Sequence, residues 1–225
     1  MEGLGLLLIN MEVLMKTIYL IRHSTPFIDI DNYQDYLNVS WKEYNKNMIL
    51  SVKGEENAKK LCNVEELKDI KEIYASNSSR AISTAKYISE LNNIKIKLDD
   101  RINEREFGVK YLNELPDNFT KKSFDDKNFK IKGGESLNEV DKRFCNFIDD
   151  LLSDDKANIA IVIHGIIILS YLQKISSSFS SDGTNFKIVF NDKIILDGKL
   201  ESPAIYKLKF DDNKKLIDIN NIKVN

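Results

Sequence analysis

The feature that most constrains this chain is a run of apolar and β-branched residues, Thr17-Ile18-Tyr19-Leu20-Ile21, which stops at Arg22-His23 and passes into Ser24-Thr25-Pro26. Such a run, followed by small turn-prone residues and a proline, describes a short buried strand ending in a loop. The pattern occurs twice. Asn158-Ile159-Ala160-Ile161-Val162-Ile163 is a second apolar run, and it ends at His164-Gly165. The chain has only two histidines, and each follows the end of one of these strands. In open α/β sheets, ligands sit in the crevice outside the carboxyl ends of the strands. An arginine and two imidazoles delivered there make an anion site with a nucleophile in it.

The rest of the chain alternates between helix and strand patterns. Ser51 reads as an N-cap with Glu55 and Glu56 in the first turn, opening a helix to about residue 64. Residues 72–75 read as a strand, after which Ser79-Arg80 opens a helix with Ala81, Ile82, Ala85, Ile88 and Leu91 on one face. Residues 94–98 predict another strand. Ser136-Leu137-Asn138-Glu139 is a capping box for a helix to about residue 152, with Leu137, Val140, Phe144, Phe147, Ile148 and Leu151 as its apolar stripe. A helix over 166–175 follows the second histidine strand. A Ser-rich turn then leads to strands at 187–190, 204–210 and 216–222, the last two joined by Asp211-Asp212-Asn213. This alternation predicts an α/β fold: a three-layer α/β/α sandwich with a mostly parallel central sheet, closed by antiparallel strands at its C-terminal end.

Arg80 is out of place for an ordinary surface helix. The helix dipole disfavours a cation in the first turn, so an arginine there makes sense beside a bound anion. The net charge of −2 gives no reason to expect nucleic acid or a membrane as partner, so any anion pocket must be local. At 225 residues the chain reads as one domain over 16–225 with an N-terminal appendage, residues 1–15. The apolar Gly3-Leu4-Gly5-Leu6-Leu7-Leu8-Ile9 run has Glu2 where a signal peptide carries a basic residue, and it is too short to span a bilayer. Segments 27–50 and 109–132 are expected to be lids or inserts, the first carrying Phe27, Tyr33, Tyr36, Trp41 and Tyr44. Cys62 and Cys145 lack metal-ligand or redox spacing and read as buried structural thiols of a cytoplasmic protein.

Five blocks in order then carry a resemblance: Leu20-Ile21-Arg22-His23-Ser24-Thr25; Ala75-Ser76-Asn77-Ser78-Ser79-Arg80-Ala81; Ile102-Asn103-Glu104-Arg105-Glu106-Phe107-Gly108; Gly133-Gly134-Glu135-Ser136; and Val162-Ile163-His164-Gly165. The chain resembles the histidine phosphatase superfamily, the phosphoglycerate mutase-like proteins, over residues 16–175. That resemblance implies a phosphatase acting on a small phosphorylated substrate without cofactor or metal. His23 is implied as the nucleophile that becomes phosphorylated, and Glu104 as the proton donor to the leaving oxygen. Arg22, Arg80 and His164 are implied to hold the phosphoryl group, with Ser24 and Gly165 beside it. Phosphoryl transfer is mostly positioning and charge stabilisation, which suits bidentate arginines. A protonated His164 would add a donor, and like charge from the phosphate would raise the pKa of the Glu104 carboxyl.

Two departures from the family pattern stand out. Ser24 replaces the usual glycine after the Arg-His pair, with a hydroxyl able to reach phosphate. Asp29 stands where many members have an asparagine, and a carboxylate there would repel a dianion, so Asp29 is left out of the site. Glu106 competes with Glu104 for the acid role; the Asn-Glu-Arg context and the distance to Gly108 favour Glu104. Two further readings stay open: phosphoglycerate mutase-type transfer, and a phospho-ligand binding module without catalysis. No Gly-x-Ser-x-Gly elbow supports a serine hydrolase. Oligomeric state is not legible.

Overall fold

The computed structural model describes residues 15–27 and 40–224. In chain order its elements are β1 (Lys16–Arg22), α1 (Trp41–Asn47), α2 (Val52–Lys59), β2 (Glu72–Ala75), α3 (Ser79–Asn92), β3 (Ile96–Leu98), α4 (Phe119–Asp125), α5 (Leu137–Ser153), β4 (Asn158–Ile163), α6 (Gly165–Ile175), β5 (Ser178–Ser181), β6 (Phe186–Phe190), β7 (Lys193–Gly198), β8 (Ala204–Phe210) and β9 (Leu216–Ile222). The central sheet has six strands in the order β3-β2-β4-β1-β8-β9. All its pairings are parallel except those of β8, which runs against both β1 and β9. The fold is thus mixed α/β, with a mostly parallel sheet flanked by helices.

Why the two histidine strands become the centre of the sheet follows from their composition. Strands covered on both faces read as continuous apolar runs. Alternate residues of β1 and β4 point to opposite faces. Ile18, Leu20, Ile159, Ile161 and Ile163 join a core with Val140, Phe144, Phe147 and Ile148 of α5 and Ile167 and Ile168 of α6. Tyr19, Ile21, Ala160 and Val162 join a second core with Ala81, Ala85 and Ile88 of α3 and with Leu61 and Leu67. The helix α5 starts at the expected capping box: the Ser136 N–H donates to Glu139 Oε2 at 2.8 Å and the Glu139 N–H donates to Ser136 Oγ at 3.2 Å.

The register matters most for function. β1 and β4 pair from Thr17↔Asn158 to Arg22↔Ile163, so the two strands end level. The next residue of each, His23 and His164, therefore emerges at the same edge. The His23 N–H continues the ladder, donating to the Ile163 carbonyl at 2.9 Å.

Two expectations need correction, one on the strands after α6 and one on the cysteines. The Ser-rich stretch after α6 is not only a turn, because Ser178–Ser181 is the strand β5. It pairs with β6, and β6 with β7, as a separate three-stranded sheet, so the run around 187–190 does not close the central sheet. Phe186, Ile188, Phe190, Ile195 and Leu196 pack this small sheet onto the α5–α6 core, a tertiary burial that a serine-rich sequence does not signal. Segment 109–132 contains α4, whose Phe119, Ser123 and Phe124 are buried; seven residues are too few to display helical periodicity. Finally, Cys62 and Cys145 are free thiols but only half-buried. Segment 1–14, most of the expected N-terminal appendage, and Tyr33 and Tyr36 of the first insert lie outside the described residues. Among the described residues no helix is long and apolar enough to cross a membrane.

Candidate active site

The loop that leaves β1 turns sharply against the start of α2. A Cβ on Gly54 would lie 2.0 Å from the Thr25 carbonyl oxygen, so only glycine permits this approach. The Ser51 and Ser202 hydroxyls brace the same loop, donating to the Thr25 carbonyl at 3.2 Å and to the His23 carbonyl at 2.8 Å. Ser24 is spent here as well. Its hydroxyl is fully buried and donates to the Gly54 carbonyl at 2.7 Å, while its N–H donates to Thr84 Oγ1 at 2.9 Å. The expected phosphate contact from the Ser24 hydroxyl is therefore corrected: that hydroxyl faces α2 and anchors the loop.

His23 and His164 are both buried, with ring centroids 5.2 Å apart. Arg80, in the first turn of α3, fills the space between them. Its Nε–H donates to His23 Nε2 at 3.0 Å and its Nη2–H to His164 Nδ1 at 2.9 Å. Its Nη1–H donates to the carbonyl of Asn45 on α1. These contacts define both tautomers. His23 donates through Nδ1 to the Ser24 carbonyl at 2.8 Å and keeps the lone pair on Nε2. His164 accepts on Nδ1 and donates through Nε2 to Ser76 Oγ at 2.7 Å, and Ser76 in turn lies 2.9 Å from Ser78 Oγ.

Burial pushes the pKa of each imidazole well below the ordinary histidine value, and the Arg80 guanidinium adds to the effect. Burial and Arg80 thus both work against a protonated His164. A stability prediction follows. The unfolded chain takes up protons on both histidines near their ordinary value of 6.5, where the folded chain does not. Stability rises with pH wherever the unfolded state binds more protons. Lowering the pH through about 6.5 and below is thus expected to lower the melting temperature. Glu104, with its raised pKa, opposes this with one group against two. Melting curves of the parent and His164→Asn between pH 7.5 and 5.5 check it, the variant giving the shallower fall.

Arg22 is anchored from the far side, its Nη1–H donating to the Leu200 carbonyl at 2.6 Å and to the Glu201 carbonyl at 3.2 Å. Its Nε is buried with no hydrogen-bond partner among the described residues. Gly165, at the start of α6, leaves room for this guanidinium: a Cβ there would lie 3.2 Å from Arg22 Nε. Burial lowers the pKa of both Arg22 and Arg80.

Glu104 completes the cluster. Its Oε1 accepts from the Arg105 backbone N–H at 3.0 Å, and its Oε2 lies 3.4 Å from His164 Nδ1 and 3.8 Å from Arg80 Nη2. Its pKa is raised, and the leading cause is burial, working against Arg80. The direction is the expected one, and enclosure is its leading cause. Glu106 lies further out, paired with Lys42 at 2.9 Å and 43% exposed. Asp29 falls outside the described residues.

Arg22, His23, Arg80, Glu104 and His164 therefore converge at one rim of the sheet. A cavity of about 250 Å³ opens beside them, lined among others by Trp41, Asn45, Asn103, Glu104 and Phe107. Trp41 stacks on Phe107 at 6.0 Å and forms its aromatic wall. A larger groove of about 730 Å³ runs between β7 and the β8–β9 edge, but it contains none of the five converging side chains, so the smaller cavity is the candidate substrate entrance. Among the described residues no group of His, Cys, Asp or Glu is arranged to hold a metal ion. Sequence reasoning missed Ser76 and Ser78, whose hydroxyls lie against His164 Nε2, and the Asn45 carbonyl; for the serines the available signal was their position after the end of β2.

The family model of the histidine phosphatase superfamily (branch 1) matches residues 18–203. No curated protein sequence matches. Among solved structures, the chain is similar to a mycobacterial glucosyl-3-phosphoglycerate phosphatase, with 15% identity, 92% of this chain and 97% of that chain covered and a TM-score of 0.66. It is similar to a phosphoglycerate mutase from Bacillus anthracis str. Sterne, with 20% identity, 93% of each chain covered and a TM-score of 0.62. A putative alpha-ribazole-5'-P phosphatase from Escherichia coli K-12 gives 17% identity, 91% and 96% coverage and a TM-score of 0.61. At these identities the solved structures speak for the fold alone.

Proposed function

The chain belongs to the histidine phosphatase superfamily, and on that premise we propose that it hydrolyses small phosphomonoesters through a phosphohistidine on His23. The observation that carries the reading is the state of the His23 ring. Its Nδ1 proton is held on the Ser24 carbonyl and its Nε2 lone pair points at the Arg80 guanidinium, where a phosphoryl group would be gripped. Two of the similar structures are named as phosphatases of small phosphorylated compounds, which supports the substrate class.

The chemistry balances with this chain's own residues. An incoming phosphate dianion takes over the Arg80 Nε–H, freeing His23 Nε2 to attack. The Nε2–P bond forms as the P–O ester bond breaks, and Glu104 gives its proton to the leaving oxygen. Arg22 and Arg80 donate to the equatorial oxygens, and the dianion beside His164 favours its protonated form, which adds a third donor; charge stabilisation is the main contribution. Water then attacks phosphorus, ionised Glu104 takes its proton, and the P–N bond breaks to return His23 and release phosphate. The buried Arg22 Nε, with no partner among the described residues, fits an anion-holding donor.

The balance between phosphatase and mutase turns on the cavity. A mutase must hold its phosphoryl group against water in a strongly basic enclosure. Lys42 is already paired with Glu106, and Asp100 shares the lining, a mixed surface that favours hydrolysis. The test is release of phosphate from p-nitrophenyl phosphate together with trapping of an acid-labile phosphoenzyme. Faster transfer to a second hydroxyl than to water would assign a mutase instead. Tight phosphate binding with no turnover would assign a binding module.

The pH profile follows from the two shifted groups. Glu104 must carry a proton, so kcat/KM is expected to fall as pH rises through its raised pKa. His23 must be neutral, and its depressed pKa carries the acid limb below the ordinary histidine range of about 6.5. In Glu104→Gln the alkaline limb should vanish. Hydrolysis of an alkyl phosphate should drop by about 10²–10⁴-fold, that of p-nitrophenyl phosphate far less, because its leaving group needs no proton.

A further inference from the structure

We propose that Arg105 is the positioning residue for the proton donor, a role that its side chain plays by clamping its own main chain. The inference rests on the reading of Glu104 as the acid. Arg105 is a buried cation, 1% exposed, and its guanidinium hydrogen-bonds to none of Arg22, His23, Arg80 and His164. A buried charge is costly unless it is fully paired or hydrogen-bonded. Here burial brings its pKa down to about 10. Something must offset that cost, and the geometry identifies it.

All three guanidinium nitrogens donate to the neighbouring insert and the turn that follows it. Nε–H donates to the Glu135 carbonyl at 2.8 Å, Nη1–H to Ser123 Oγ on α4 at 2.7 Å, and Nη2–H to the Phe129 carbonyl at 3.1 Å. The guanidinium also lies over the Phe119 ring, 4.8 Å from its centroid. This fork fixes the peptide of residue 105, whose N–H holds Glu104 Oε1. With that oxygen held, Oε2 is left facing His164 and Arg80. Phe119 in turn packs on Phe107 at 5.4 Å, and Phe107 on Trp41. The wall against which a leaving group rests and the acid that protonates it are therefore pinned by one side chain.

A lysine at 105 keeps the charge but cannot reproduce a planar three-way fork. The acid should then be misplaced while the phosphoryl site stays intact. In Arg105→Lys we expect kcat/KM for glycerol 3-phosphate to fall by about 10–100-fold, as for an ångström-scale misplacement. For p-nitrophenyl phosphate it should change by less than about threefold, because that leaving group needs little protonation. Ser123→Ala removes one of the three acceptors from a residue remote from the phosphoryl site, and it should give a smaller split of the same sign. It carries the test if Arg105→Lys does not fold. Glu104→Gln provides the reference. If Glu104→Gln splits the two substrates and neither Arg105→Lys nor Ser123→Ala does, or if these lower both substrates equally, Arg105 is only structural and the inference is overturned. If Glu104→Gln itself gives no split, the assignment of the acid fails instead.

Discussion

Replacing His23 with alanine is expected to reduce turnover of phosphomonoesters by roughly 10⁴-fold or more, with no acid-labile phosphoenzyme formed. The size follows from what is removed. In the proposed sequence His23 Nε2 forms the only covalent bond between the protein and phosphorus. His164 has a different place in this sequence, holding the phosphoryl group with its Nε2–H kept on Ser76. Phosphate binding should persist, since Arg22, Arg80 and His164 remain. The variant should thus bind orthophosphate within about tenfold of the parent while losing kcat, the pattern of an interaction used in the chemical step rather than in the ground state. Steady-state kinetics, titration calorimetry and acid-quench labelling read the three quantities. Turnover that survives the substitution would remove the nucleophile assignment.

Arg80→Lys is expected to cost about 10³-fold in kcat/KM, most of it in kcat, at the lower end of what a transition-state arginine supplies. One guanidinium reaches His23, His164 and the Asn45 carbonyl at once. An ammonium on a flexible stem can satisfy one or two of these directions but cannot present two parallel N–H groups to phosphate oxygens. The substitution also removes the donor that sits on His23 Nε2 before substrate arrives. In Arg80→Lys the His23 pKa is therefore expected to differ little, since the nearby positive charge remains, whereas Arg80→Met should let it rise toward the ordinary range. Histidine titration by nuclear magnetic resonance, set beside the kinetics, separates the loss of geometry from the loss of charge. A kcat/KM for Arg80→Lys within tenfold of the parent would contradict this role.

Much of this site can be read before any fold is known, for reasons that are local. Arg22-His23 and His164-Gly165 are visible because continuous apolar runs end abruptly beside them, and burial on both faces forces such runs to the middle of a sheet. Arg80 is visible because a serine pair opens its helix and the dipole makes a cation there unusual. Glu104 is different. It lies in an irregular loop after a short turn, and only its resemblance to a family block singles it out from Glu106. The small β5–β7 sheet is hidden for a related reason: Ser178–Ser181 carries almost no apolar signal and becomes a strand only through pairing with β6.

What the amino-acid sequence determines by itself is which residues end up at the rim: strand ends and a helix start in a mostly parallel α/β sheet. What only the tertiary structure decides is the state of each group there. The Ser24 hydroxyl turns from the expected anion to α2 because Gly54 lets that helix approach. The imidazole tautomers depend on the Ser24 carbonyl and Arg80, and the pKa of the Glu104 carboxyl is raised by enclosure. Hydrophobic periodicity is a property of neighbouring residues and survives in the linear chain. Desolvation and hydrogen-bond direction arise between residues far apart in it, and exist only once the chain has closed around them.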